Sequence, residues 1–118
     1  MKTPRLLIIL LFTLLTLTAC APKADVDIRG EWAYTMIGTN GNTWDEGTIT
    51  FSGSPEEGTY LQINIYKVDY DGTYTVSGTA IKLNDYESWK GEVTDANTMS
   101  GTWPQEDGGT GTFTATRK

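Results

Sequence analysis

From Arg29 to the C-terminus, bulky apolar side chains recur at every second position, in short runs separated by glycine-rich turns. A period of two is the repeat of an extended strand with one dry face and one wet face. "EWAYTMI" sets Trp32, Tyr34 and Met36 on one face, and "GTITF" does the same for Ile49 and Phe51. "TYLQINIY" offers Leu61, Ile63 and Ile65 as the dry face, against Tyr60, Gln62 and Asn64. Tyr74 and Val76, then Ile81 and Leu83, then Trp89, Gly91 and Val93 continue the pattern. Met99, Gly101 and Trp103 follow, and Gly111, Phe113 and Ala115 complete it, opposite a row of threonines. No segment carries a 3.6-residue apolar repeat of helical length, so the domain is expected to be all-β with eight strands.

The connections decide how those strands pair. "GTNGN", "GSPEEG", "DYDG", "SG", "NDYES", "TDAN" and "PQEDGG" are short and rich in turn residues. Links of that length join antiparallel neighbours, which makes a meander. A meander of eight strands removes its two sticky edges best by closing on itself. The expected fold is therefore a small eight-stranded antiparallel up-and-down β-barrel, with an open sandwich as the next choice. Interior glycines (Gly91, Gly101, Gly111) leave room beside large aromatics and permit the bends of a closing sheet.

The first twenty residues follow a different rule. Lys2 and Arg5 precede an apolar run from Leu6 to Leu17, too short to span a bilayer as a helix, which is the order of a secretory signal. Leu17-Thr18-Ala19-Cys20 resembles the lipobox of bacterial lipoprotein signals, and Cys20 is the chain's single cysteine. The resemblance implies cleavage after Ala19, with acyl chains placed on Cys20 that moor the protein to a lipid bilayer. Ala19-Cys20-Ala21 also fits ordinary signal cleavage, which would release the domain. The absence of aspartate after Cys20 resembles lipoproteins forwarded to the outer membrane of the bacterial cell envelope. The expected division is a signal over residues 1–19, a lipidated tether over 20–28 and a barrel domain over 29–118.

Composition narrows the chemistry. Loss of the signal leaves seven basic residues against fifteen acidic ones, a net charge of −8, which repels nucleic-acid phosphates and anionic headgroups. Without histidine or a second cysteine, the usual zinc, iron–sulfur and thiol-nucleophile sites are not expected, and the serines have no imidazole to activate them. Acidic pairs (Asp45-Glu46, Glu56-Glu57, Asp69 with Asp71, Glu106-Asp107) fall in turn-like sequence and read as solvated groups. No cofactor, metal or catalytic constellation is expected, and the chain reads as a non-enzyme.

Gly30-Glu31-Trp32 on the first strand and Arg117 on the last resemble the G-x-W and closing basic residue of the lipocalins and their calycin relatives. What the resemblance implies is a barrel plugged at one end by Trp32, with Arg117 across it in a cation–π contact. The strands are shorter than lipocalin strands, and inward aromatics could fill the interior. Avidin shares the G-x-W and the strand number, but its polar ligand contacts have no match here. Trp44, set among turn residues, is either a lid folded over the barrel or a surface offered to a partner. With Tyr86, Trp89 and Trp103 it forms the candidate site for a small hydrophobic ligand. The leading reading is a lipid-anchored envelope lipoprotein with a lipocalin-like, ligand-binding barrel; the alternative is a protein-binding or inhibitor module with no internal ligand.

Overall fold

The computed structural model describes residues 23–84, 88–105 and 108–118. Eight strands follow in chain order: β1 (Gly30–Ile37), β2 (Thr43–Gly53), β3 (Glu57–Asn64), β4 (Asp69–Ser77), β5 (Ala80–Asn84), β6 (Ser88–Asp95), β7 (Thr98–Pro104) and β8 (Thr110–Arg117). Each pairs antiparallel with the next, and β8 pairs back onto β1 from Trp32↔Arg117 to Ile37↔Thr112, closing the barrel. The up-and-down barrel expected from the alternation is the fold. Odd-numbered hairpin links gather at one end, here called the open end. The other end receives the even-numbered links and the segment that precedes β1.

The barrel interior is the core. Trp32, Tyr34, Met36, Ile49, Phe51, Tyr74, Val76, Ile81, Leu83, Trp89, Val93, Met99, Trp103, Phe113 and Ala115 are all buried. Removing an aliphatic or aromatic side chain of this size from water contributes about 1.5–3 kcal/mol. The rings interlock in tilted and edge-on pairs, with Phe51 and Tyr74 centred 5.2 Å apart and Trp89 and Phe113 5.1 Å apart. Glycines give them room: a Cβ on Gly91 would lie 3.0 Å from Phe113 Cζ, and one on Gly111 would overlap the Trp103 indole.

β3 departs from the expected phase. Tyr60, Gln62 and Asn64 are buried, whereas Leu61 is 42% and Ile65 56% exposed. The register explains the inversion. Phe51 stands opposite Tyr60, and Ile49 opposite Gln62, so inward Phe51 and Ile49 carry those two partners inward with them. On the other side Tyr60 faces Gly72, where a Cβ would come within 2.8 Å of its hydroxyl, and Gly58 yields in the same way to the Tyr74 ring. A slip of one residue would lose these large-against-small fits, which outweigh the hydrophobicity of Leu61 and Ile65.

Three further segments differ from expectation. "DYDG", read as the turn after β3, belongs to β4, with Asp69 and Asp71 outward; the turn is residues 65–68. There the Asn64 side-chain oxygen accepts from the Tyr66 and Val68 backbone N–H groups, and Lys67 takes φ 64°. Trp44 lies within β2 rather than in a loop. The stretch assigned to a tether is laid against the barrel from Ala24 onward: Ile28 is fully buried, and Ala24 bridges to Gly78.

Candidate functional site

The end that receives the N-terminal segment is sealed by the chain itself. Trp32 is fully buried and its indole N–H donates to the Ile28 carbonyl at 2.8 Å. The Arg117 guanidinium carbon sits 4.5 Å from the centre of that ring, a cation–π distance. Its nitrogens donate to the carbonyls of Ala96 (3.0 Å), Arg29 (2.9 Å) and Asp27 (2.7 Å), stitching the β6–β7 link to the incoming segment. Gly30 turns the chain into β1 at φ 116°, a conformation that a side chain there would strain. Arg29 in turn pairs with Asp27 at 2.6 Å, and that hydrogen bond holds the Asp27 carboxyl down at about 2. These residues plug the barrel.

The open end is built differently. The β1–β2 register shifts between Met36↔Asp45 and Ile37↔Thr43, which leaves Trp44 as the extra residue of a bulge. Trp44 is 62% exposed, yet its ring centre lies 5.7 Å from that of buried Trp103. β2 and β7 are not neighbours in the barrel, so this pair bridges the rim past the ends of β1 and β8. A hydrogen bond from the Thr39 N–H to Gln105 Oε1 (2.8 Å) ties the two flanking links together.

Below that rim the packed interior has two unlike halves. On β6–β8 it is aromatic: Trp89 packs against Phe113, and Trp103 donates its indole N–H to the Thr112 carbonyl at 3.2 Å. On β1–β4 it carries polar groups near the rim. Tyr34, 2% exposed, places its hydroxyl 3.3 Å from Asp45 Oδ2 and hydrogen-bonds Gln62, which is 4% exposed. Tyr70, half-buried on β4, stands opposite Gln62. Burial pushes the Tyr34 hydroxyl above its ordinary pKa, and the nearby Asp45 carboxylate adds to the rise. The Tyr34 ring crosses the interior to meet Trp89 edge-on, 6.3 Å between centres, and joins the two halves.

The structure thus places Trp44, Trp89 and Trp103 at one end, and Trp32 with Arg117 at the other. Tyr86 and Cys20 lie outside the described residues. Tyr34, Asp45, Gln62 and Tyr70 were missed as site residues. The sequence places Asp45 in a turn and Gln62 outward; the signal for Gln62 is the pairing of β3 with inward Phe51 and Ile49, and for Asp45 the period-two continuation of β2 back from Phe51, Ile49 and Gly47. Among the described residues no group of three or more metal-ligating side chains gathers.

Comparison with known proteins gives architecture alone. Neither a protein-family model nor a curated protein matches the sequence. Among solved structures, a redesigned β-barrel superposes with a TM-score of 0.58 at 17% identity, over 81% of this chain and 99% of that one. A de novo designed, fluorescence-activating β-barrel superposes with a TM-score of 0.56 at 15% identity, over 78% and 94%. The likeness is one of fold.

Proposed function

We propose that this chain is a lipid-anchored cell-envelope lipoprotein of lipocalin-like type, whose barrel takes a small, largely apolar ligand through its open end. The observation that carries the reading is the contrast between the ends. One is sealed by Ile28, Trp32 and Arg117, while the other presents exposed Trp44 over Trp103, Trp89 and Tyr34. Aromatic walls with a few polar groups suit a small molecule. Acylation of Cys20 and residence in the outer membrane rest on the lipobox-like sequence and Ala21. Binding without catalysis suits a chain that lacks histidine and in which no buried side-chain polar atom among the described residues is without a hydrogen-bond partner.

Titration with small apolar probes tests the barrel: tryptophan fluorescence should change with saturation, and Trp44→Ala should weaken the response at least tenfold. A flat signal throughout would exclude the ligand reading. For the anchor, mass spectrometry should find acyl mass on the mature N-terminus, and Cys20→Ala should lose both that mass and membrane retention; unchanged retention would refute lipidation.

One observation favours a second reading, a protein-binding module. The inverted β3 places Leu61 on the outer wall, with Ile65, Tyr66 and Val68 exposed at 56%, 77% and 44% beside it. Clustered apolar groups on a surface are a feature of interaction sites.

A further inference from the structure

We infer that the ligand of the open end is an organic cation with an apolar or aromatic body, held between the Asp45 carboxylate and the rings of Trp44, Trp89, Trp103 and Tyr34. The inference rests on the ligand-binding reading above and specifies its chemistry.

Asp45 is the decisive group. It lies on the same face of β2 as Gly47, Ile49 and Phe51, opposite buried Met36, and is itself half-buried. A half-buried carboxylate is better placed than a fully solvated one to pair with a bound cation. Its partners are the Tyr34 hydroxyl at 3.3 Å and the Glu46 backbone N–H at 2.9 Å, both neutral donors. The ion pair found among the described residues, Arg29 with Asp27, is at the other end of the barrel. A bound cation would supply to Asp45 what Arg29 supplies to Asp27.

The surrounding rings suit the same charge. A cation over an aromatic face gains about 0.5–1 kcal/mol when exposed and about 2 when desolvated. The plugged end already uses this chemistry within the chain, with the Arg117 guanidinium over Trp32. At the open end Trp44 and Trp103 form a tilted pair, and the Tyr34 ring, whose hydroxyl meets Asp45, packs edge-on against Trp89, so aromatic rings lie at the same end as the carboxylate. Near this end Glu46, Asp69 and Asp71 are matched by Lys67, Lys82 and Lys90, and the excess of acid belongs to the chain as a whole. That net charge favours the approach of cations over carboxylates. A fatty-acid headgroup would meet Asp45 as a like charge. The apolar body would lie on the β6–β8 half of the interior and the charged group on the β1–β4 half.

Three probes of matched shape separate the possibilities: phenylbutyltrimethylammonium, its uncharged tert-butyl analogue, and phenylbutanoate. Each is titrated into the full-length protein with tryptophan fluorescence as the readout. The cation should bind at least tenfold more tightly than the neutral analogue, and phenylbutanoate more weakly than either. In Asp45→Asn the cation should lose its tenfold advantage over the neutral probe. Tyr34→Phe, which keeps the carboxylate, should retain the cation preference. Equal affinity for cation and neutral probe, or tighter binding of the carboxylate, would overturn the inference while leaving a ligand-binding barrel in place. No binding of any of the three would overturn both.

Discussion

At the plugged end of this barrel an arginine covers a fully buried tryptophan and donates to three carbonyls of neighbouring links. At the open end a tryptophan covers another tryptophan, and the covering ring is 62% exposed and held by its neighbour's face. Covering a core aromatic is common to both; the difference is what holds the cover in place. A network of hydrogen bonds makes the first part of the fold's stability, because breaking it removes three charge-assisted bonds and uncovers the core tryptophan. A single exposed ring contact contributes little to folding and is free to exchange for contact with another molecule. Stability and recognition are therefore expected to separate by end.

The sharpest way to break that comparison is Trp32→Ala. Emptying a fully buried indole site should cost about 3–5 kcal/mol, read as a loss of the urea midpoint with unchanged slope. Next comes Arg117→Ala, which removes three donated hydrogen bonds and a cation–π contact and should cost about 2 kcal/mol by the same measurement. Trp44→Ala, at the other end, should fall within about 0.5 kcal/mol of the parent in stability while losing most ligand response. A stability loss for Trp44→Ala as large as that for Trp32→Ala would erase the distinction.

The smallest expected effect is the acid response of the Arg29–Asp27 pair. Asp27 titrates at about 2 in the folded protein against an ordinary 3.8, so its folded form binds protons less readily than its unfolded form. The stabilisation it gives is complete above pH 3.8 and fades as pH falls towards 2. Thermal melts of Asp27→Asn should therefore be less sensitive to that pH window than those of the parent. Both partners are about half exposed, at 46% and 48%, so solvent screening keeps the difference slight.

Much of the architecture was legible because alternation is a strong signal when one face is bulky and the other threonine. β1, β2 and β8 show it plainly, and the short links left few topologies open. β3 was not legible from its own letters. "TYLQINIY" supplies apolar groups on both faces, so local hydrophobicity points to Leu61, Ile63 and Ile65. What decides its phase is non-local: the β2–β3 connection fixes Phe51 against Tyr60, and glycines on β3 and β4 leave space for particular rings. The candidate site inherited that error. Trp44, Trp89 and Trp103 stand out as large aromatics wherever they fall. The polar groups near the rim, Tyr34, Asp45 and Gln62, become visible only when β3 faces the right way and Asp45 is seen to extend β2 rather than sit in a turn.

The central claim, that one end of the barrel recognises and the other end only holds, has a direct reporter in the four tryptophans. Their indole N–H resonances can be followed by nuclear magnetic resonance during titration with phenylbutyltrimethylammonium. The account predicts that the signals of Trp44, Trp89 and Trp103 move together to saturation while that of Trp32 stays fixed. Movement of Trp32 equal to theirs, or no movement of the other three, would contradict it.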